Sequence, residues 1–310
     1  MPVARWAPCT RRPTPLVCTS KRKEILQCSV RMGRVKLKRS RLVIALVMVL
    51  VAFASYYGMR EVNPITGEKQ RVAMSPAQEV AMGLQASPEM ADQFGGLHPD
   101  PNLQNEVHEV GGRLVQKSVA GSSPYRFSFK VLADPETINA FALPGGPVFI
   151  TAALVSRLEN ESQLAGVLGH EIGHVIARHS AEHMAKSQLA QLLVGAVGVA
   201  ATDEEHPGRG QQAAAAAAFV SQMVSLRYGR QDELEADSLG VRLMGEAGYD
   251  PRSLLSVMRI LAESSKGGRQ PEFLSSHPDP GNREERIKEA ISQQFPQGVP
   301  AGLTLGQSFR

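Results

Sequence analysis

Two histidines four residues apart with a glutamate between them, His170-Glu171-Ile172-Gly173-His174, constrain this chain more than any other feature of its sequence. On an α-helix, residues i and i+4 project from one face, so both imidazoles can reach a single point while Glu171 sits beside it. This is the H-E-x-x-H arrangement: neutral imidazoles suit Zn2+, the ion acidifies a water, and a carboxylate takes the proton. A pattern with three fixed positions also arises by chance, so its surroundings have to decide. Leu164, Val167 and Leu168 make the preceding turn apolar, and Gly169 and Gly173 let neighbouring backbone come close at the level of the histidines. Burying two histidines and a glutamate there with no ion to bind would carry a large desolvation cost.

A catalytic zinc needs a third protein ligand and one open position. The acidic stretch at 230–237, Arg-Gln-Asp-Glu-Leu-Glu-Ala-Asp, offers Glu233 and Asp237 on one helical face. Glu233 is expected to bind the metal and Asp237 to accept the free N–H of a ligand imidazole, fixing its tautomer; an exposed acidic helix start is the alternative. His277, followed by Pro278, is expected either to fill the open position in a resting state or to donate a hydrogen bond to a tetrahedral oxyanion; otherwise it is a loop histidine capping the next helix. Arg283 and Arg286 bind a substrate carboxylate, pair with Asp237, or form a solvated face. His179 and His183 repeat the four-residue spacing, but no carboxylate lies between them, so packing is expected and not a second metal.

The pairing of Leu-Gly-His-Glu-Ile-Gly-His (168–174) with Asp-Glu-Leu-Glu-Ala-Asp (232–237) resembles the zinc metallopeptidases that include CaaX prenyl endopeptidases and HtpX-like, Oma-type and BepA-like proteases. In that family the third ligand is the Glu three positions before the Ala-Asp pair, which here is Glu233 and not Glu235. The segment Asn-Ala-Phe-Ala-Leu-Pro-Gly-Gly (139–146) resembles the family's strand and turn upstream of the zinc helix. The resemblance thus runs from about residue 75 to residue 291 and implies a strand edging the cleft, where an extended peptide can add as a further strand. A purely structural hairpin is the other reading. The chain has neither the several membrane helices of the prenyl proteases nor the tetratricopeptide array of BepA-like chains. Relatives of this kind imply clearance of misfolded or misassembled envelope proteins.

The formal charge of +4 conceals an asymmetry: the first 41 residues hold twelve Lys/Arg and one acid, leaving 22 basic against 29 acidic residues. With the basic block confined to a terminal segment, nucleic acid is not an expected partner. A membrane is. Residues 42–57 carry no charge and end in Tyr56 and Tyr57, which suit an interface; this run reads as an anchor, with a cleaved signal peptide as the alternative. Sixteen residues make about 24 Å of helix against a hydrocarbon core of about 30 Å, so flanking residues must help. The positive-inside rule then puts the catalytic domain on the periplasmic side. Cys9, Cys18 and Cys28 all precede the run, so the exported part relies on neither disulfides nor a thiol nucleophile. Residues 1–31 read as an over-extended start before Met32, or as part of an organelle transit peptide, which would make the chain an Oma-type mitochondrial inner-membrane protease.

Along the chain the expected parts are the basic segment 1–41, the anchor 42–57, a linker 58–74, a metallopeptidase domain 75–295 and a flexible tail 296–310. Ser75 and Pro76 open a helix, and Leu103, Val107, Val110 and Leu114 define the apolar face of another at 102–118. Residues 127–132 and 140–150 hold the strands, the latter turning at Pro144-Gly145-Gly146-Pro147. Nearly everything from 158 onward is helical, with breaks at 203–210, 228–229, 248–251 and 277–280, and with the alanine run 213–218 as a helix. The apolar run 189–201, short for a span, is expected to cover the site. The fold class is α+β, mainly helical and zincin-like, with a small sheet whose edge strand flanks the cleft. The expected function is a zinc-dependent endopeptidase, one Zn2+ per subunit, acting on unfolded or extended polypeptides at a membrane. A zinc-containing chaperone or assembly factor that binds such clients uncut is the rival.

Overall fold

The computed structural model describes residues 39–201, 228–265, 271–278 and 281–309. The expectations for the first 31 residues, their three cysteines, the break at 203–210 and the alanine helix at 213–218 fall outside these ranges. The architecture is α+β and mainly helical. Helix α1 (Arg39–Gly58) leads into a hairpin of β1 (Arg60–Val62) and β2 (Lys69–Arg71), antiparallel with Arg60 opposite Arg71. Helix α2 (Pro76–Gln93) begins where the sequence requires, with Ser75 and Gln78 forming a reciprocal capping box and Pro76 in the first turn. In α3 (Pro101–Gln116), Val107, Val110 and Leu114 are buried on the predicted face.

A three-stranded sheet follows, ordered β3 (Ser128–Leu132), β5 (Pro147–Thr151), β4 (Ala140–Ala142), with β3 parallel and β4 antiparallel to the central β5. Every residue of β5 is buried, as a central strand covered on both faces should be. Gly145 in the β4–β5 turn has φ +81°, and a Cβ there would collide with the backbone of Val80, so the turn tucks against α2 as only glycine allows. After the short α4 (Ala152–Val155) comes α5 (Glu161–Ile176), buried from Ser162 to its end. A helix buried on every side belongs at the centre of a domain. Accordingly α5 packs against α3, β4, α7 (Arg230–Glu246) and α8 (Ser253–Ser265). Helices α6 (His179–Ala201), α9 (Glu272–Ser276) and α10 (Arg283–Gln294) complete the described elements.

Three expectations differ from the structure. Residues 58–74 are no free linker: the hairpin closes the carbonyl end of α5, with Asn63 Nδ2 donating to Ile176 O at 2.7 Å and Gln70 Nε2 to Ala177 O. Last-turn carbonyls lack intrahelical partners, so these amides satisfy groups that burial would otherwise orphan. Nor do residues 296–309 hang loose. Leu305 O and Gln307 O accept from Ser162 N (2.9 Å) and Glu161 N (3.1 Å) at the opposite end of α5, and Thr304 bridges Gly248 and Asp250. Finally, the apolar run 189–201 is the second half of the 23-residue α6 and lies along α1, not over the site.

The two helices run antiparallel. Arg71 N donates to Glu182 Oε1 at 3.1 Å near the start of α6, and its guanidinium lies over Tyr56 and Tyr57 at the end of α1. Further along, a Cβ on Gly195 would stand 3.6 Å from Met48 Cε. Both helices are long and apolar enough to cross a membrane by length and composition.

Between α5 and α6, Arg178 takes φ +61°, left-handed for a side-chain-bearing residue. Its buried guanidinium donates to Glu79 Oε1 through Nε (2.9 Å) and Nη2 (2.6 Å), to Glu61 Oε2 at 2.8 Å and to Met74 O at 2.6 Å. Tyr125 OH donates to the other Glu79 oxygen at 3.1 Å. One arginine thus fastens the hairpin and α2 to the end of α5. Replacing it by methionine leaves Glu79 buried without its cation, which is expected to lower stability by about 3–5 kcal/mol. Urea unfolding checks this, and Glu79→Met combined with Arg178→Met should recover much of the loss.

Candidate metal centre

The site is built where α5 and α7 cross. A Cβ on Gly173 would lie 2.9 Å from Ala236 O, and one on Gly240 would lie 3.2 Å from His170 N, so the two helices meet backbone to backbone. With no side chain between them, Glu233 and Asp237 on α7 come directly beside His170 and His174 on α5. Asn160 caps α5, its Oδ1 accepting from Gln163 N at 3.0 Å.

Four side chains converge. His170 Nε2 is 3.0 Å from His174 Nε2 and 3.3 Å from His277 Nδ1, which is itself 3.0 Å from Glu233 Oε1. Glu233 stands 3.5 Å from Nε2 of each helix histidine, and all four residues expose 2% or less of their surface. Donors about 2.0–2.1 Å from one tetrahedral ion stand about 3.3 Å apart, so the set has the right size and chemistry for zinc. Glu171 borders it, Oε1 3.5 Å from His277 Nε2. That Glu171 oxygen is buried without a hydrogen-bond partner among the described residues, as a group facing a cation would be, and Glu233 Oε2, likewise without one, has Arg283 Nη1 at 3.4 Å.

Asp237 Oδ1 is 2.8 Å from His170 Nδ1, and Arg283 grips the same carboxylate through Nε (2.6 Å) and Nη2 (2.8 Å). A carboxylate only accepts, so His170 carries its proton on Nδ1 and turns a bare Nε2 toward the centre. Burial alone would raise Asp237, but Arg283 and His170 outweigh it and hold the carboxyl at about 2. Burial would likewise raise Glu233; the hydrogen bond and charge of His277, with His170 and Arg283, lower it instead. His174 is held well below its ordinary value by burial and the imidazoles around it, hence neutral and able to lend a lone pair. For His277 burial opposes the charged form, yet Glu171 and Glu233 prevail and raise its pKa.

The structure thus brings together His170, Glu171, His174, Glu233, Asp237 and His277. Arg283 pairs with Asp237, while Arg286 stands apart on the surface against Glu289 at 2.6 Å. His183 pairs with Asp232 at 2.8 Å, but His179 lies against His174 itself, Nδ1 to Nδ1 at 2.9 Å. Two aromatic neighbours were not anticipated. Tyr228 stacks on His174 with centroids 4.2 Å apart, and Phe273 stacks on His277 at 4.6 Å. In the sequence Tyr228 only marks a helix break, and nothing local ties either ring to the histidines. Alongside, β4 forms an edge of the sheet and packs on α5. Bonds from Leu143 N to Pro147 O and from Thr151 N to Asn139 O pair the odd-numbered residues with β5, leaving the main-chain groups of Ala140 and Ala142 facing outward.

A buried His-His-Glu set on two crossed helices, joined by His277 at the C-cap of α9 and backed by a small mixed sheet, is the architecture of zincin-like metallopeptidase domains. Residues 101–291 match Peptidase family M48, and the chain belongs to that family. It is 31% identical over 242 residues to the beta-barrel assembly-enhancing protease of Escherichia coli, covering 76% of this chain and 48% of that protein. The Yersinia pestis protein of the same name is also 31% identical, over 240 residues, 76% of this chain and 49% of that one. Mitochondrial metalloendopeptidase OMA1 of Schizosaccharomyces pombe is 30% identical over 244 residues, 77% of this chain and 68% of that protein. The chain spans about half the length of the two bacterial relatives.

Because the centre depends on the helix crossing, Gly173→Val should push α5 from α7. A loss of about 1–3 kcal/mol is expected from overpacking, with weakened metal binding. Thermal melts with and without added zinc measure both.

Proposed function

We propose that the chain is a zinc-dependent endopeptidase that cuts unfolded or extended segments of proteins at a membrane. The observation that carries this is the buried four-donor cluster with, beside it, a Glu171 oxygen that makes no hydrogen bond among the described residues. His170, His174 and Glu233 would hold the ion, and His277 offers a fourth donor. Zn2+ in such a site acidifies water and polarises a carbonyl oxygen. Glu171 would take the proton of the water that attacks the peptide carbonyl, at the oxygen that makes no hydrogen bond, and return it to the amine as the C–N bond breaks. Asp237, held ionised by Arg283, keeps the His170 proton on Nδ1 and the ring in place. The outward main chain of Ala140 and Ala142 pairs with an extended peptide and aligns it across the site, which favours unfolded segments over folded ones.

With an ion held by His170, His174 and Glu233, His277 would take up the position a substrate carbonyl needs, so we propose a resting state from which His277 must withdraw. A client-binding factor without activity would have no use for a buried, correctly placed Glu171, which favours the enzyme. The name of the bacterial relatives supports substrates connected with beta-barrel assembly, and that of the fungal one a mitochondrial setting. We infer that α1 anchors the chain in a membrane, with the basic flank on the cytoplasmic side, the catalytic domain on the extracytoplasmic side and α6 sharing the bilayer with α1.

In purified full-length protein, Glu171→Gln is expected to keep one zinc and lose casein-degrading activity by at least about 100-fold, as loss of a general base does. Glu233→Ala should lose the zinc itself. Wild-type turnover in Glu171→Gln would refute the mechanism. His277→Ala should retain zinc and cut faster; slower cutting with zinc retained would instead mark His277 as the oxyanion's hydrogen-bond donor, and an unchanged rate would exclude both roles.

A further inference from the structure

His179 was expected only to pack, yet its ring nitrogens are both engaged. In an unbroken helix, residue 179 would stand about 140° around the axis from residue 174. The left-handed Arg178 breaks the helix between them, and His179 Nδ1 comes to 2.9 Å from His174 Nδ1. Its Nε2 lies 3.3 Å from Glu235 Oε2. His179 is 1% exposed and the Glu235 side chain 29%, so the series runs inward from the solvent edge to the metal centre.

Counting protons leaves one arrangement. His174 Nε2 belongs to the donor cluster, 3.0 Å from His170 Nε2 and 3.5 Å from Glu233, and must be bare to bind an ion. The single proton of neutral His174 is then on Nδ1, and the short contact makes it a donor to His179 Nδ1. His179 is in turn bare at Nδ1 and protonated at Nε2, where Glu235 accepts. His170 has its own outer acceptor in Asp237. Both ligand imidazoles are therefore oriented from α7, one directly by Asp237 and one by Glu235 through His179.

We propose that His179 is a positioning residue of the metal centre: by accepting the Nδ1 proton of His174 it fixes the tautomer and ring angle that present Nε2 to the ion. This rests on the zinc reading of the site. Outer acceptors of this kind typically change metal affinity by about 10–100-fold.

The test is zinc affinity of the full-length protein by competition with a chromogenic chelator, together with the visible spectrum of the cobalt-substituted form. His179→Leu keeps bulk but removes the acceptor, and is expected to weaken zinc by about 10–100-fold and shift the cobalt bands. His179→Asn puts an oxygen where Nδ1 was and should restore most of the affinity; His179→Gln, whose amide lies at the Nε2 position, should not. Wild-type affinity and spectrum in His179→Leu would overturn the proposal. If that variant does not fold, equal affinities for the Asn and Gln forms would overturn it just as well. Should wild type itself bind no zinc, the metal reading fails and this proposal with it, an outcome distinct from zinc bound equally by all.

Discussion

Backbone contact between α5 and α7 is the constraint on which the site depends. A helix pair with ordinary side chains at its crossing keeps its axes 8–10 Å apart. Here Gly173 and Gly240 let the polypeptide backbones touch, and short carboxylate side chains on one helix can then reach imidazoles on the other. The same closeness explains the burial. Two histidines and two carboxylates inside a dry core would be untenable singly, but each neutralises or hydrogen-bonds another, and Arg283 from α10 completes the charge balance around Asp237. Metal ligation and domain packing are therefore one problem solved by one crossing.

The rest of the fold serves to hold α5 still. Its amino end is bonded by the segment 304–307 and its carboxyl end by the hairpin that follows α1, so two segments far apart in sequence close the two ends of one helix. Arg178 adds a charged clasp at the second of these ends. Such bracing matters for a centre whose donors must converge on one point, because a rotation of α5 by a few degrees would separate them.

Much of this was legible in the sequence where the signal is local or periodic. The capping box at Ser75, the apolar face of α3 and the glycine turn between β4 and β5 all follow from short-range chemistry. So did the shared face of His170 and His174 and that of Glu233 and Asp237, because spacing on a helix fixes which side chains lie together, whereas the meeting of the two faces was what the family resemblance implied. What was not legible depends on backbone groups or on distance. Carbonyls of Leu305 and Gln307 bonding the start of α5 carry no side-chain signature, hence the expectation of a loose tail. Asn63 and Gln70 look like ordinary turn and strand residues until their partners 113 and 107 positions away are known. His179 was expected only to pack because its contact with His174 exists only through a backbone reversal at an arginine, a conformation no propensity would assign.

The antiparallel pairing of α6 with α1 would make a membrane-embedded form of the molecule a ruler. Only two residues separate α5 from α6, and from His179 to the start of the apolar run at Leu189 is ten residues, about 15 Å of helix. Were that run to lie beside α1 in a bilayer, the proposed metal centre would stand at a set height above the lipid. About 15 Å is the length of four or five extended residues. A membrane-anchored client would have to be unravelled to within that short stretch of its own anchor, while a bond farther out would have to loop back. Selection of cleavage sites would then be metric before it is chemical, decided by distance from the membrane rather than by the side chains flanking the bond.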